Sequence, residues 1–300
     1  MVNMEQWLAK FARLRVDRAR GDPAPHKPLL LLVALELAEQ GQLPEDVLSL
    51  SPELAFRFLT FWNVVAHRRT QPPDVRLPFH YLQSDGFWSA LDENNKSSPD
   101  KRLTRYAALN EEFVAFAKDP VLRDKARRIL IEKYFQPAER VALYSLVGLH
   151  VTDEKDSIAE TIDNAVYYAR QQGREARFRL TVVAAYDYAC ALTNYRLTTI
   201  DAGSIVDAAH IHQFADSRNN DARNGLALSK NAHWLFDQGL WTIADDYTVI
   251  VAIGQFTEQS PDQKALRDYH GQKIRLPKDP VLWPNPIHLA WHRKNKFQDA

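Results

Sequence analysis

Over the first 150 residues, apolar positions recur mostly with the period of an amphipathic helix. The pattern predicts helices near residues 4–14, 28–40 and 52–66, then near 109–117 and 120–133. Ser51 and Pro52 open the third of these as an N-cap and a first helical position. Between the two groups, residues 76–91 (RLPFHYLQSDGFWSAL) form two β-like runs, and Ser84-Asp85-Gly86 between them predicts a β-hairpin. Helices followed by a hairpin give a winged-helix-like arrangement. Further on, residues 151–173 are polar with a helical pattern, residues 174–190 read as a helix, and residues 203–211 are β-like. A helix starts near Ser229, its hydroxyl suited to an N-cap, and residues 241–253 alternate as a strand. No segment repeats and none is of low complexity. The expected fold is α+β. A mostly helical domain with one β-hairpin occupies 1–150, a linker helix entered at VTDEKDS occupies 151–173, and a second domain occupies 174–300.

Length supports that division, because 300 residues correspond to about two domains. No apolar run reaches the roughly 18 residues that span a membrane, and the longest, residues 29–38, is broken by Glu36. The N-terminus alternates as an amphipathic helix does and has no export-signal pattern, so a cytoplasmic protein is expected. Cys190 is the only cysteine, which excludes an internal disulfide framework and thiolate-rich zinc clusters. With 38 basic and 38 acidic residues the net charge is zero, so any DNA contact must come from local patches. Three basic clusters qualify: Arg13, Arg15, Arg18 and Arg20 leading to Lys27; Arg68, Arg69 and Arg76; and Lys101, Arg102 and Arg105. Each is either a phosphate contact or a solvated face.

Residues 207–239 (DAAHIHQFADSRNNDARNGLALSKNAHWLFDQG) carry the chemistry. His210 is followed fourteen residues later by Asn224, His233 comes nine after that, and Asp237 lies four beyond His233. On a helix, His233 and Asp237 share one face and can grip one cation. The stretch resembles the HNH, or ββα-metal, nuclease finger, and residues 186–196 (YDYACALTNYR) match the opening hairpin of a large bacterial subfamily of these fingers. A neutral imidazole is a suitable base for a water nucleophile at working pH, and His210 would be that base. A divalent ion, Mg²⁺ or Mn²⁺, on His233 and Asp237 would stabilise the phosphate and the departing 3′ oxygen. The resemblance implies that Asn224 pins the loop between the two strands, so that its loss costs activity more than folding. The commonest motif has a metal ligand immediately before the base; here that residue is Ala209. Asp207 is a possible substitute ligand, and His212 competes for either role.

Two short stretches in the first domain resemble the sulfur-binding domain of phosphorothioate-dependent type IV restriction endonucleases, which precedes an HNH domain in that family. They are Pro25-His26-Lys27-Pro28 with the leucines after it, and Leu77-Pro78-Phe79-His80-Tyr81-Leu82 with Asp85-Gly86-Phe87-Trp88. The resemblance implies that His26 and Lys27 contact the modified backbone and that Leu77, Pro78 and Tyr81 form an apolar pocket around sulfur. It places a further basic contact in the Lys101 cluster, at Arg102 and Arg105. Sulfur in place of a non-bridging oxygen keeps the charge but is larger, softer and less hydrated, so a selective reader needs apolar walls beside cations.

The expected protein is a phosphorothioate-dependent HNH endonuclease that acts on double-stranded DNA as a homodimer and has no membrane partner. Two alternatives stay open: an HNH nuclease that reads methylated or unmodified DNA, and a DNA-binding regulator whose finger is structural.

Overall fold

The computed structural model describes residues 4–19, 21–66, 72–149 and 164–298. Arg20, Arg68, Arg69 and the expected boundary run at 151–157 lie outside the described residues. The chain divides into two compact units, Met1–Arg177 with Thr199–Gly203, and Phe178–Thr198 with Ser204–Ala300. Among the described residues, no helix is long and apolar enough to cross a membrane.

The first unit is built around helix α2 (His26–Glu39), in which every residue from Leu29 to Leu35 is at most 1% exposed. A helix apolar on all sides must be enclosed, and α1 (Met4–Ala12), α3 (Pro52–Val65), α4 (Arg76–Tyr81), α5 (Glu111–Lys118), α6 (Pro120–Tyr134) and α7 (Pro137–Val147) share the unit with it. Ser51 accepts a hydrogen bond from the Leu54 amide and Pro52 takes the first helical position, so α3 starts where its sequence directs. Trp7 and Phe11 of α1 are fully buried against Phe87 and Phe113. Glu36, the break in the apolar run, is buried with Arg57, their charged atoms 2.6 Å apart. Burial lifts its carboxyl above the ordinary range against the pull of that arginine.

Strands β1 (Val47–Ser49), β2 (Trp88–Leu91) and β3 (Tyr106–Leu109) form one antiparallel sheet in the order β1-β3-β2. This is not the expected hairpin. Residues 76–91 form helix α4, then a 3-10 turn (Leu82–Asp85), and only then strand β2. Val75, Phe79 and Leu82, spaced four and three apart, point inward while Tyr81 is 49% exposed, so the burial has helical period and not a period of two. Gly86, at φ +77, ends the turn in a conformation that favours glycine. Strand β1 and helix α7 were not anticipated, and the sheet lies within the helical sequence instead of following it as a wing.

Helix α8 (Asn164–Ala185) belongs to the second unit from Phe178 onward and supplies Phe178 and Val182 there, and strands β4 (Val206–His210) and β5 (Gly225–Ser229) pair antiparallel with His210 opposite Gly225. Helix α9 (Lys230–Asp237) follows β5 directly, completing a ββα unit. Ser229 stands at its N-cap position, but its side chain makes no capping bond. Residues 241–253 are not one strand. They turn back as a hairpin, β6 (Trp241–Ile243) with β7 (Val249–Val251), around a left-handed Tyr247. The C-terminal helix α10 (Pro286–Asn295) buries His292 against Phe236, their rings stacked at 3.7 Å.

Candidate functional site

The ββα unit places His210 at the end of β4. Its ring stacks on Phe178, centroids 4.0 Å apart and planes 9° from parallel. On the paired strand, a Cβ added to Gly225 would come within 2.5 Å of Val182 and 2.8 Å of Phe178, so only glycine leaves room for that helix face. The His210 Nε2 lies 2.9 Å from Asn220 Oδ1. An amide oxygen only accepts, so Nε2 donates and the neutral ring keeps its lone pair on Nδ1.

Asn224 is wholly buried. Its Oδ1 accepts from the His212 amide at 2.8 Å, and its Nδ2 donates to the carbonyls of His212 at 2.9 Å and Asn219 at 3.1 Å. One side chain thus closes both ends of the polar loop between β4 and β5. His233 and Asp237 stand one turn apart on α9, Nε2 to Oδ2 3.4 Å, both partly exposed. An imidazole and a carboxylate on one exposed face are a two-member donor set that would suit a divalent cation.

Asp207 and His212 have other partners. Ala209, in the place of the usual ligand, is fully buried and faces Leu226, so that position is a packing site in this chain. Asp207 is exposed and accepts from Arg179 Nε at 2.7 Å. Among the described residues, no three His, Cys, Asp or Glu side chains converge as a metal cage. The His212 ring stacks on Trp291 at 4.0 Å and lies 5.9 Å from His288. Burial and the neighbouring His212 lower the pKa of His288, which favours its neutral form.

In the first unit, Leu77, Pro78 and Tyr81 line a cavity of about 390 Å³ together with His26 and Lys27. Positions 77, 78 and 81 share a side because α4 is a helix; in a strand Pro78 would face away from the other two. Arg15, Val16, Asp17 and Ala24 complete the wall. Sequence reasoning missed that contribution as a pocket feature, although Arg15 belongs to the first basic cluster. Arg102 and Arg105 do not line this cavity: Arg102 pairs with Asp100 in its own loop, and Arg105 donates to the carbonyls of Arg102 and Thr104. Arg76 and Lys101 are likewise held by Asp74, and Arg76 also by Asp201. Among the described residues, no ion pair engages the side chains of Arg13, Arg15 or Arg18.

Comparison with known proteins adds two family matches. Residues 4–152 match the ScoMcrA-like DNA sulfur-binding domain, and residues 190–244 match the HNH endonuclease family. No curated protein matches the chain. Among solved structures, the modification-dependent TagI restriction endonuclease is similar at 20% identity and a TM-score of 0.32, over 50% of this chain and 45% of TagI. The sulfur-binding domain of SprMcrA, solved with phosphorothioated DNA, is similar at 19% identity and a TM-score of 0.40, over 49% of this chain and 94% of that domain. The chain spans under half the length of TagI.

Proposed function

We propose, for a chain that joins a ScoMcrA-like DNA sulfur-binding domain to an HNH endonuclease domain, that it finds phosphorothioate-modified double-stranded DNA and hydrolyses nearby phosphodiester bonds. The observation that carries this reading is the cavity that Leu77, Pro78 and Tyr81 line together with His26 and Lys27. Seating sulfur against the apolar residues loses less hydration than seating oxygen, and His26 and Lys27 offer polar N–H groups to the backbone oxygens that both ligands share. In this reading residues 1–150 are the reader, 151–173 the linker and 174–300 the nuclease domain. Arg102 and Arg105 serve the DNA backbone beside the pocket, adding affinity without reading sulfur.

In the nuclease domain, His210 takes a proton from the attacking water at Nδ1 while Asn220 holds Nε2–H. Asn224 keeps the loop closed so that the imidazole stays aimed. His233 and Asp237 are the residues that would hold Mg²⁺ or Mn²⁺, which when bound supplies Lewis-acid stabilisation of the charge growing on phosphate and leaving oxygen. Asp207 stands as a reserve ligand that would first have to leave Arg179. Cutting both strands with one such site per chain takes two copies or two successive events, and we expect the two copies of a homodimer.

The test compares two duplexes identical except for one sulfur, followed by cleavage of modified plasmid with Mn²⁺ beside a His210→Ala control. Tighter binding of the sulfur duplex and cleavage by the wild type alone are expected. Equal affinity for the two duplexes overturns the sulfur reading. Binding without cleavage by either form leaves a DNA-binding regulator.

A further inference from the structure

Lys27 does not present a bare charge to the pocket. Its Nζ lies 2.6 Å from Asp85 Oδ2, the two side chains only 11% and 5% exposed, and 3.2 Å from Ser84 Oγ. The other oxygen of the same carboxylate, Oδ1, accepts from the backbone amide of Arg15 at 2.9 Å. One carboxylate therefore joins the segment carrying Arg15, the first turn of α2 and the 3-10 turn that follows α4. Arg15 and Lys27 line the cavity; Asp85 does not, and acts from behind the wall.

Ordinary DNA binds proteins mainly through phosphate charge, regardless of sequence. A reader that must find rare sulfur among many phosphates needs a high ratio of affinities and not high affinity alone. A free lysine in the pocket would hold every phosphate tightly. Paired with Asp85 it adds almost no net charge, and the apolar contact of sulfur with Leu77, Pro78 and Tyr81 decides between the two ligands.

We propose that Asp85 sets the specificity of the pocket as a positioning residue: it cancels the charge of Lys27 while fixing Lys27 and the Arg15 backbone in place, and so weakens the electrostatic hold on ordinary phosphate to what Arg15 alone supplies. This rests on the phosphorothioate reading above. The test uses the full chain with Asp85→Asn, which keeps an acceptor for the Arg15 amide and removes the charge. Fluorescence anisotropy with labelled duplexes, one carrying a single phosphorothioate and the other only phosphate, is run over a range of salt. The oxygen duplex is expected to bind roughly threefold to tenfold tighter than to wild type, with a salt slope steeper by about 0.9, one extra phosphate contact. The sulfur-to-oxygen preference falls accordingly, and Asp85→Glu, which keeps the charge, retains it. If Asp85→Asn is folded but weakens both duplexes equally, Asp85 is only a brace and the proposal fails. Should Asp85→Asn melt early, the Lys27→Gln/Asp85→Asn double variant removes both charges of the pair. It is expected to keep a sulfur preference, and loss of that preference overturns the proposal. Wild type that binds both duplexes alike overturns the sulfur reading itself. Wild type that prefers sulfur, with a ratio unchanged in Asp85→Asn, overturns only the role of Asp85.

Discussion

The ring of Phe178 lies flat against that of His210, centroids 4.0 Å apart, and so fixes the plane of the imidazole from a helix that precedes the ββα unit in sequence. Phe178→Leu keeps an apolar side chain in the same buried place but removes the flat partner. We expect a cleavage rate lower by roughly tenfold to a hundredfold, with a stability loss under about 2 kcal/mol. Single-turnover cleavage beside a thermal melt checks this, and an unchanged rate would show that the stack does not aim the base.

Asn220 holds the other edge of the same imidazole. Asn220→Asp puts a negative charge there, which favours the protonated ring and delays formation of the base as pH rises. The acid limb of the pH–rate profile should move to higher pH by about one unit. A limb that stays in place would count against His210 as the titrating base.

Asn224 is fully buried and makes three side-chain hydrogen bonds. Its truncation to alanine leaves a buried amide N–H and two carbonyls to find other partners, so stability should fall by about 2–4 kcal/mol. Urea denaturation measures the loss. The sequence expectation weighted activity over folding at this position, and the burial predicts that both suffer.

His292 is buried between Phe236 and Thr242, and burial lowers its pKa to about 4. The folded protein thus holds it neutral, whereas the unfolded chain binds a proton below about 6.5. Stability is full above that pH and declines as pH falls from about 6.5 to about 4, by roughly 3 kcal/mol in total. Melts of wild type and His292→Gln across this range should converge toward the acid end; parallel curves would remove His292 from the account.

Asp237 and His233 share one exposed helix face. Asp237→Ala should raise the Mn²⁺ concentration for half-maximal cleavage at least about tenfold, while binding of DNA without metal stays unchanged. A metal requirement identical to wild type would place the ion elsewhere.

Much of this arrangement was legible along the chain because it is written in local spacing. The intervals from His210 to Asn224, His233 and Asp237, the Ser51-Pro52 start of α3 and the apolar run of α2 each depend on side chains a few turns or one hairpin apart. The error at residues 76–91 is also local in origin. Leu77, Phe79 and Tyr81 alternate well enough to pass for a strand, and only the burial of Val75, Phe79 and Leu82 shows the helical period that brings Leu77, Pro78 and Tyr81 to one wall.

The sequence by itself determined the spacing on which the two proposed chemistries rest, since an imidazole, a carboxylate and an apolar turn at fixed intervals restrict what each segment can bind. The tertiary structure alone decided how those groups are held: Phe178 against His210, Gly225 making room for that ring, and one buried carboxylate at Asp85 tying Lys27 to the Arg15 backbone. Such contacts join residues 32 to 70 positions apart. Their partners are chosen by packing and by the need to pair buried charge, and neither leaves a periodic mark in the order of the residues.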